Sequence, residues 1–285
     1  MEIIIGKTAG FCFGVANAVN KTKESLKKYK ELYCLGELVH NKDVTNELKN
    51  EGLVFINEIN DGKGNVIIRA HGEPQETYKR AKELNLNIID LTCPKVIKIH
   101  DIVKEYSKNG YYIFLIGQKE HPETIGTKSY CGKNVDIIEN EMQVDNAICR
   151  VLNSKIKKVL VISQTTFSVE SFDDIIKAII SKIGSAVQIE VKNTICDATK
   201  LRQEETLKIA QKVDAMIIIG GKNSSNTNKL YKIAKEHCKN SILIENEKEL
   251  DITYIKKYKK IGVMAGASTP QKSIELLVEK LNKIC

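Results

Sequence analysis

Asp90-Leu91-Thr92-Cys93-Pro94-Lys95-Val96 ends an apolar run that starts at Ile88 and opens a stretch of helical spacing that continues to Lys108. A short apolar run bounded by polar residues is how a strand buried on both faces reads, and the proline suits a helix start. Two other segments follow the same plan. Thr8-Ala9-Gly10-Phe11-Cys12-Phe13-Gly14 comes after Ile3 to Ile5, and Thr194-Ile195-Cys196-Asp197 comes after Val187 to Val191. Further apolar runs lie near Leu35 and at Val66 to Ile68, Tyr112 to Ile116, Val159 to Ile162, Met216 to Ile219 and Ile261 to Met264. Between them, Pro74 to Leu84, Val96 to Lys108, Val169 to Ile183, Ala198 to Gln211 and Thr227 to Cys238 have helical spacing with Lys- and Glu-rich outer faces. Strands alternating with helices predict an α/β fold with mostly parallel sheets.

Open α/β sheets build their sites at the carboxyl ends of strands, so the residues after each run carry the information. Nine runs end in nine polar clusters, and the clusters fall into three groups of three. Cys12 precedes His40 by 28 positions, Cys93 precedes His121 by 28, and Cys196 precedes Ser224 by 28. Thr165 lies 44 after His121 and Ser268 lies 44 after Ser224, whereas His71 lies only 31 after His40. Such an internal repeat predicts three similar lobes in a pseudo-threefold trefoil that brings the cysteines to one axis. The expected boundaries are 14–93, 94–192 and 193–285, the last completed by 1–13.

Composition narrows the class. A chain of 285 residues with 42% hydrophobic content can bury a substantial core. No apolar run approaches the roughly 20 residues of a membrane span, and the opening residues lack the pattern of an export signal, so a cytoplasmic setting without a membrane partner is expected. Eight cysteines in that setting read as thiols or metal thiolates. The net charge of +8 suits an anionic partner. Only four basic residues are Arg and there is no Trp, which argues for a small phosphate ester and against nucleic acid. The lysine runs Lys27, Lys28, Lys30 and Lys256, Lys257, Lys259, Lys260 read as solvated helical faces.

Three thiolates on one axis concentrate negative charge unless a metal takes it up. No Cys-x-x-Cys pair is present, against a zinc finger or ribbon. Soft ligands spread over three lobes suit one [4Fe-4S] cluster with three Cys ligands, Cys12, Cys93 and Cys196, which leaves one iron open to substrate. Cys34, Cys131, Cys149, Cys238 and Cys285 read as small buried hydrophobes. His40, His71 and His121 at strand ends form a cationic or hydrogen-bonding ring, and Ser224, Ser225, Asn226 and Ser268 add hydroxyl and amide donors suited to phosphate oxygens. Ser225 or Asn226 could equally cap the following helix. Glu123 is the carboxylate set tightly among these groups, with Thr165 able to relay a proton, although a surface loop glutamate explains Glu123 as well.

The contexts Ala-Gly-Phe-Cys12-Phe-Gly-Val, Val-His40-Asn, Ala-His71-Gly, Asp-Leu-Thr-Cys93-Pro-Lys-Val-Ile-Lys-Ile-His100, His121-Pro-Glu123, Gln164-Thr165-Thr166, Thr-Ile-Cys196-Asp-Ala-Thr199, Asn223-Ser-Ser-Asn226 and Gly-Ala-Ser268-Thr-Pro270 together resemble the 4-hydroxy-3-methylbut-2-enyl diphosphate reductase family, which closes the methylerythritol phosphate route to isoprenoids. The resemblance runs essentially end to end. It implies a trefoil around a [4Fe-4S] cluster whose open iron takes the substrate hydroxyl, and a diphosphate among His40, His71, His121, Ser224, Ser225, Asn226 and Ser268. It also implies Glu123, through Thr165, as the proton source. Two one-electron transfers, from a donor such as reduced ferredoxin or flavodoxin, would give isopentenyl and dimethylallyl diphosphate. Ala9 and Phe13 depart from many relatives, which have Arg and Ala there. Rival readings are a quinolinate synthase-like iron-sulfur enzyme, a basic RNA-binding protein, and a zinc or redox sensor.

Overall fold

The short Ile- and Val-rich runs and the helices between them fold in the order that their spacing predicts. The computed structural model describes residues 1–185 and 187–283. The chain runs β1 (Glu2–Ile5), α1 (Phe13–Lys28), β2 (Leu32–Leu35), α2 (Lys42–Asn50), β3 (Leu53–Ile56), β4 (Asn65–Ile68), α3 (Gln75–Glu83) and β5 (Asn87–Asp90). It continues through α4 (Pro94–Lys108), β6 (Tyr112–Ile116), α5 (Pro122–Lys128), β7 (Val135–Ile138), α6 (Val144–Asn153), β8 (Lys158–Ser163), α7 (Val169–Ile183) and β9 (Gln188–Lys192). Then come α8 (Asp197–Ala210), β10 (Ala215–Ile219), α9 (Ser225–His237), β11 (Ser241–Ile244), α10 (Ile252–Ile255), β12 (Lys260–Ala265) and α11 (Gln271–Asn282).

Among the described residues these strands form three four-stranded sheets, ordered β1-β12-β10-β11, β3-β2-β4-β5 and β7-β6-β8-β9, with every pairing parallel. Read from the edge strand that precedes a cysteine, the connectivity is the same in each. β5, β9 and β1 pair with β4, β8 and β12, which pair with β2, β6 and β10. The first strand of the chain thus holds, in its own sheet, the place of β5 and β9 in theirs. The chain forms two compact units. One comprises Met1–Asn20, Glu37–Gly52 and the chain from Asp197 onward, and holds the β1-β12-β10-β11 sheet; the other comprises Lys21–Gly36 and Leu53–Cys196 and holds the remaining two sheets.

Three strands beyond the nine expected from sequence are present, and they are equivalent: β3, β7 and β11 each form the other edge of a sheet. Each has four residues and an exposed or half-buried middle, and polar Asp136 and Ser241 break the apolar signal in two of them. The central strands are the reverse case. In β6, Phe114 and Ile116 face a core with Val159, Val161, Phe172 and Ile175, while Ile113 and Leu115 face Ile99, Val103, Leu160 and Ile162. Burial on both faces makes such a strand apolar throughout.

Cys34, Cys131 and Cys238 are buried, as small hydrophobes should be. Cys149 is exposed, contrary to the expectation, because α6 turns Val144, Ala147, Ile148 and Val151 inward and leaves position 149 on the opposite face. Cys285 lies outside the described residues. Lys27 and Lys28 close α1, whereas Lys256 to Lys259 lie in the segment that leads from α10 into β12, so the second lysine run is a connection and not a helical face. No helix among the described residues is long and apolar enough to cross a membrane.

Phe114 is fully buried between two helices' worth of side chains. Phe114→Ala should lower unfolding free energy by about 3–5 kcal/mol in urea titrations, and Cys149→Ala should leave it within about 0.5 kcal/mol of the parent.

Candidate active site

Each of the three cysteines expected to act as ligands is half-buried, and each is fixed by the same backbone contact. The Cys12 amide donates to the Ala267 carbonyl at 3.1 Å, that of Cys93 to Ala70 at 3.0 Å, and that of Cys196 to Thr165 at 3.0 Å. The acceptors follow β12, β4 and β8. Strand ladders show that they are equivalent: Ile219 pairs with Ala265, Leu35 with Ile68 and Ile116 with Ser163, and each acceptor lies two residues past the second member. His40, His121 and Ser224 each lie five residues past the first member, so the 28-residue spacing marks equivalent positions. The 44-residue spacing does not. By ladder register Thr166, not Thr165, corresponds to His71 and Ser268, because the path from β6 to β8 is one residue longer than that from β10 to β12.

In the unit that holds β2 to β9, Glu123 sits in the first turn of α5 and is 2% exposed. One carboxylate oxygen accepts the Thr165 amide and the other the Thr165 hydroxyl, both at 2.6 Å. Burial pushes the Glu123 carboxyl up to about 7, with the two Thr165 bonds working in the opposite direction. The reading of Glu123 as a surface loop residue is therefore wrong. Its own amide donates to His121 Nδ1 at 3.2 Å, which leaves the proton of a neutral His121 ring on Nε2. His71 and His121 meet edge to face with ring centroids 5.4 Å apart. Gln164 Oε1 accepts the Gln118 amide at 3.0 Å, and so joins the loop after β6 to the loop after β8.

In the unit that holds β1, β12, β10 and β11, Ser268 donates its hydroxyl to the His40 carbonyl at 3.0 Å. Glu37 approaches His40 Nδ1 to 3.6 Å and accepts the Asn223 side-chain amide at 3.1 Å. Gly221 lies against this turn: a Cβ there would fall 2.2 Å from the His40 carbonyl oxygen, so only glycine fits. Ser224 caps α9 by accepting the Thr227 amide at 3.3 Å. The capping role considered for Ser225 or Asn226 thus belongs to Ser224, and both of the others are buried in the first turn of the helix. Neither polar atom of the Asn226 amide has a hydrogen-bond partner among the described residues. Buried amides are normally paired, so an orphan here fits a group that takes a ligand.

Two features escaped the sequence reading. His100, read only as a helical residue, is buried beneath Gly72, where an added Cβ would lie 2.8 Å from its ring, and it stacks on Tyr130 at 4.3 Å. Burial lowers its pKa to about 4, so it is neutral at physiological pH. Arg202 and Glu205 on α8 bond to the loop that carries Cys12. A buried Arg in a helix whose inward face is polar is the signal that could have found them.

The family model described as LytB protein matches residues 3–282. The protein called 4-hydroxy-3-methylbut-2-enyl diphosphate reductase in Clostridioides difficile is 42% identical over the whole of both chains. The protein of that name in Aquifex aeolicus is 40% identical over 100% of this chain and 97% of its own. Among solved structures, the E-1-hydroxy-2-methyl-but-2-enyl-4-diphosphate reductase from Plasmodium falciparum superposes with a TM-score of 0.90 at 32% identity, covering 99% of this chain and 88% of its own.

The raised carboxyl of Glu123 ties stability to pH. Its pKa stands at about 7 in the folded chain against 4.5 when exposed, so its contribution is fully present below pH 4.5 and is lost as pH rises through about 7. Glu123→Gln should remove a slope approaching about 1.4 kcal/mol per pH unit in that window, read from urea midpoints of the metal-free chain across pH 4.5 to 8.

Proposed function

The chain belongs to the LytB protein family, and from that membership we propose that it is a 4-hydroxy-3-methylbut-2-enyl diphosphate reductase that converts this substrate into isopentenyl and dimethylallyl diphosphate. The observation that carries the mechanism is the buried Glu123 carboxyl, bonded twice by Thr165 and poised near neutrality. Cys12, Cys93 and Cys196 would hold one [4Fe-4S] cluster. Three half-buried cysteines at the three edge-strand exits are a donor set of the right softness. When bound, such a cluster would supply electrons singly and Lewis acidity to the substrate hydroxyl.

The remaining chemistry falls to side chains. A carboxyl with a pKa near 7 holds its proton at neutral pH until a departing oxygen takes it. Glu123 supplies the proton that lets the substrate hydroxyl leave as water. The Thr165 hydroxyl donates to the ionised carboxylate, which orients both groups; with Glu123 protonated the carboxyl donates to that hydroxyl instead, which can pass its own proton on. Burial also keeps bulk water from short-circuiting that transfer. For the diphosphate, the proposed ligands are His40, His71, His121, Ser224, Ser225, Asn226 and Ser268. The unpaired Asn226 amide and the Nε2 proton of His121 supply donors to phosphate oxygens. A one-electron donor such as reduced ferredoxin or flavodoxin completes the reaction.

The test is anaerobic turnover of 4-hydroxy-3-methylbut-2-enyl diphosphate with a reduced one-electron donor. The parent should form both products, and Cys12→Ser, Cys93→Ser and Cys196→Ser should each lose turnover with the brown absorbance. Glu123→Gln should keep the absorbance and substrate affinity while kcat falls at least about 100-fold. A parent with intact cluster and no turnover would overturn the assignment, and full activity in Glu123→Gln would overturn the acid role.

A further inference from the structure

Helix α8 turns a polar face inward. Thr199, Arg202, Gln203 and Thr206 are buried on it, an arrangement that costs free energy unless their polar atoms are held. What two residues of this helix hold is the loop that carries Cys12. Arg202 Nη1 donates to the Ala198 carbonyl one turn back at 2.8 Å, and Nη2 donates to the Gly10 carbonyl at 2.7 Å. Three residues further on, a spacing that returns to the same side of the helix, Glu205 accepts three bonds from the other end of the loop. They come from the Lys7 amide at 2.8 Å, the Thr8 amide at 2.8 Å and the Thr8 hydroxyl at 2.6 Å. Burial opposes ionisation of Glu205, yet these bonds keep its carboxyl below the usual range, so it remains a carboxylate.

The loop is thus pinned by a cation near Cys12 and an anion at its start. The Cys93 loop has a different support: Asp90 accepts the Thr92 amide at 2.9 Å and the Thr92 hydroxyl from within the loop itself. A guanidinium with two carbonyls is strongly directional, and its positive charge lies in a buried setting, where it is weakly screened. Reduction adds negative charge to an iron-sulfur centre, so a neighbouring buried cation favours the reduced state.

We propose that Arg202 and Glu205 form a charged clamp that positions Cys12, and that the Arg202 guanidinium raises the reduction potential of the cluster held there. The second half rests on the iron-sulfur reading; the first does not. Amide hydrogen exchange and potentiometric titration of the full-length, anaerobically purified protein test them separately, in the parent, Arg202→Met, Arg202→Lys and Glu205→Gln. Arg202→Met should speed exchange of the Cys12 amide about tenfold, leave that of Cys93 unchanged, and move the midpoint potential to a more negative value. Arg202→Lys should return the potential toward the parent. Glu205→Gln should free the Lys7 and Thr8 amides by a similar factor. Unchanged exchange across Lys7 to Cys12 in a folded Arg202→Met protein overturns the clamp, and an unchanged potential overturns the electrostatic role. Should Arg202→Met not fold, unchanged Lys7 and Thr8 exchange in Glu205→Gln overturns the clamp on its own. A parent devoid of iron and sulfide refutes the cluster reading and leaves the exchange result standing.

Discussion

A backbone amide leaving one strand of a parallel sheet finds its acceptor on the residue that has just left the neighbouring strand, and this contact fixes Cys12, Cys93 and Cys196. Their acceptors, Ala267, Ala70 and Thr165, sit two residues beyond equivalent ladder positions, and α1, α4 and α8 start at the residue that follows each cysteine. Parallel strands end together at one edge of their sheet, so side chains that follow them gather there. The cysteine, the residue five past the central strand and the residues past its neighbour are brought to each sheet edge by connectivity alone. The β1 strand gives the β12 sheet the edge that β5 and β9 give theirs, and thereby supplies Cys12 in the corresponding place.

With that scaffold set, burial does the chemical tuning. Thr165 uses its carbonyl to fix Cys196 and its amide and hydroxyl to hold Glu123, so one residue couples the Cys196 loop to the buried carboxyl. The two bonds favour the carboxylate and desolvation favours the acid; desolvation prevails, and the carboxyl comes to rest near neutrality. Elsewhere the balance goes the other way. Glu205 is less deeply placed and receives three donors, and its carboxylate stays ionised. Two glutamates of one chain thus hold opposite protonation preferences through solvent access and donor count.

Much of this was legible in the residues. Central strands such as Tyr112–Ile116 and Ala215–Ile219 are apolar at every position because both faces are covered, and no local alternative competes with that pattern. The 28-residue spacing survived because β2, β6 and β10 end at Leu35, Ile116 and Ile219, each 23 residues after its cysteine. Edge strands β3, β7 and β11 were not legible, since half of each faces solvent and carries little signal. The 44-residue spacing misled for a different reason. It counts residues along the chain, whereas equivalence is set by the ladder, and one extra residue between β6 and β8 shifts the match from Thr165 to Thr166. Cys149 shows the same limit on a smaller scale: its side of α6 is decided by which four neighbours pack inward.

By itself the sequence determined the fold class, the strand exits and the three cysteines that end at them, because hydrophobic period and strand-end chemistry are properties of neighbouring residues in the chain. The tertiary structure alone decided the protonation of Glu123, the orphaned amide of Asn226, the neutral His100 beneath Gly72 and the grip of α8 on the Cys12 loop. Desolvation and hydrogen-bond partners come from residues tens to hundreds of positions away, and Arg202 meets Gly10 only because β1 joins the sheet of β12. No local pattern encodes how much water remains around a side chain once the chain has closed over it.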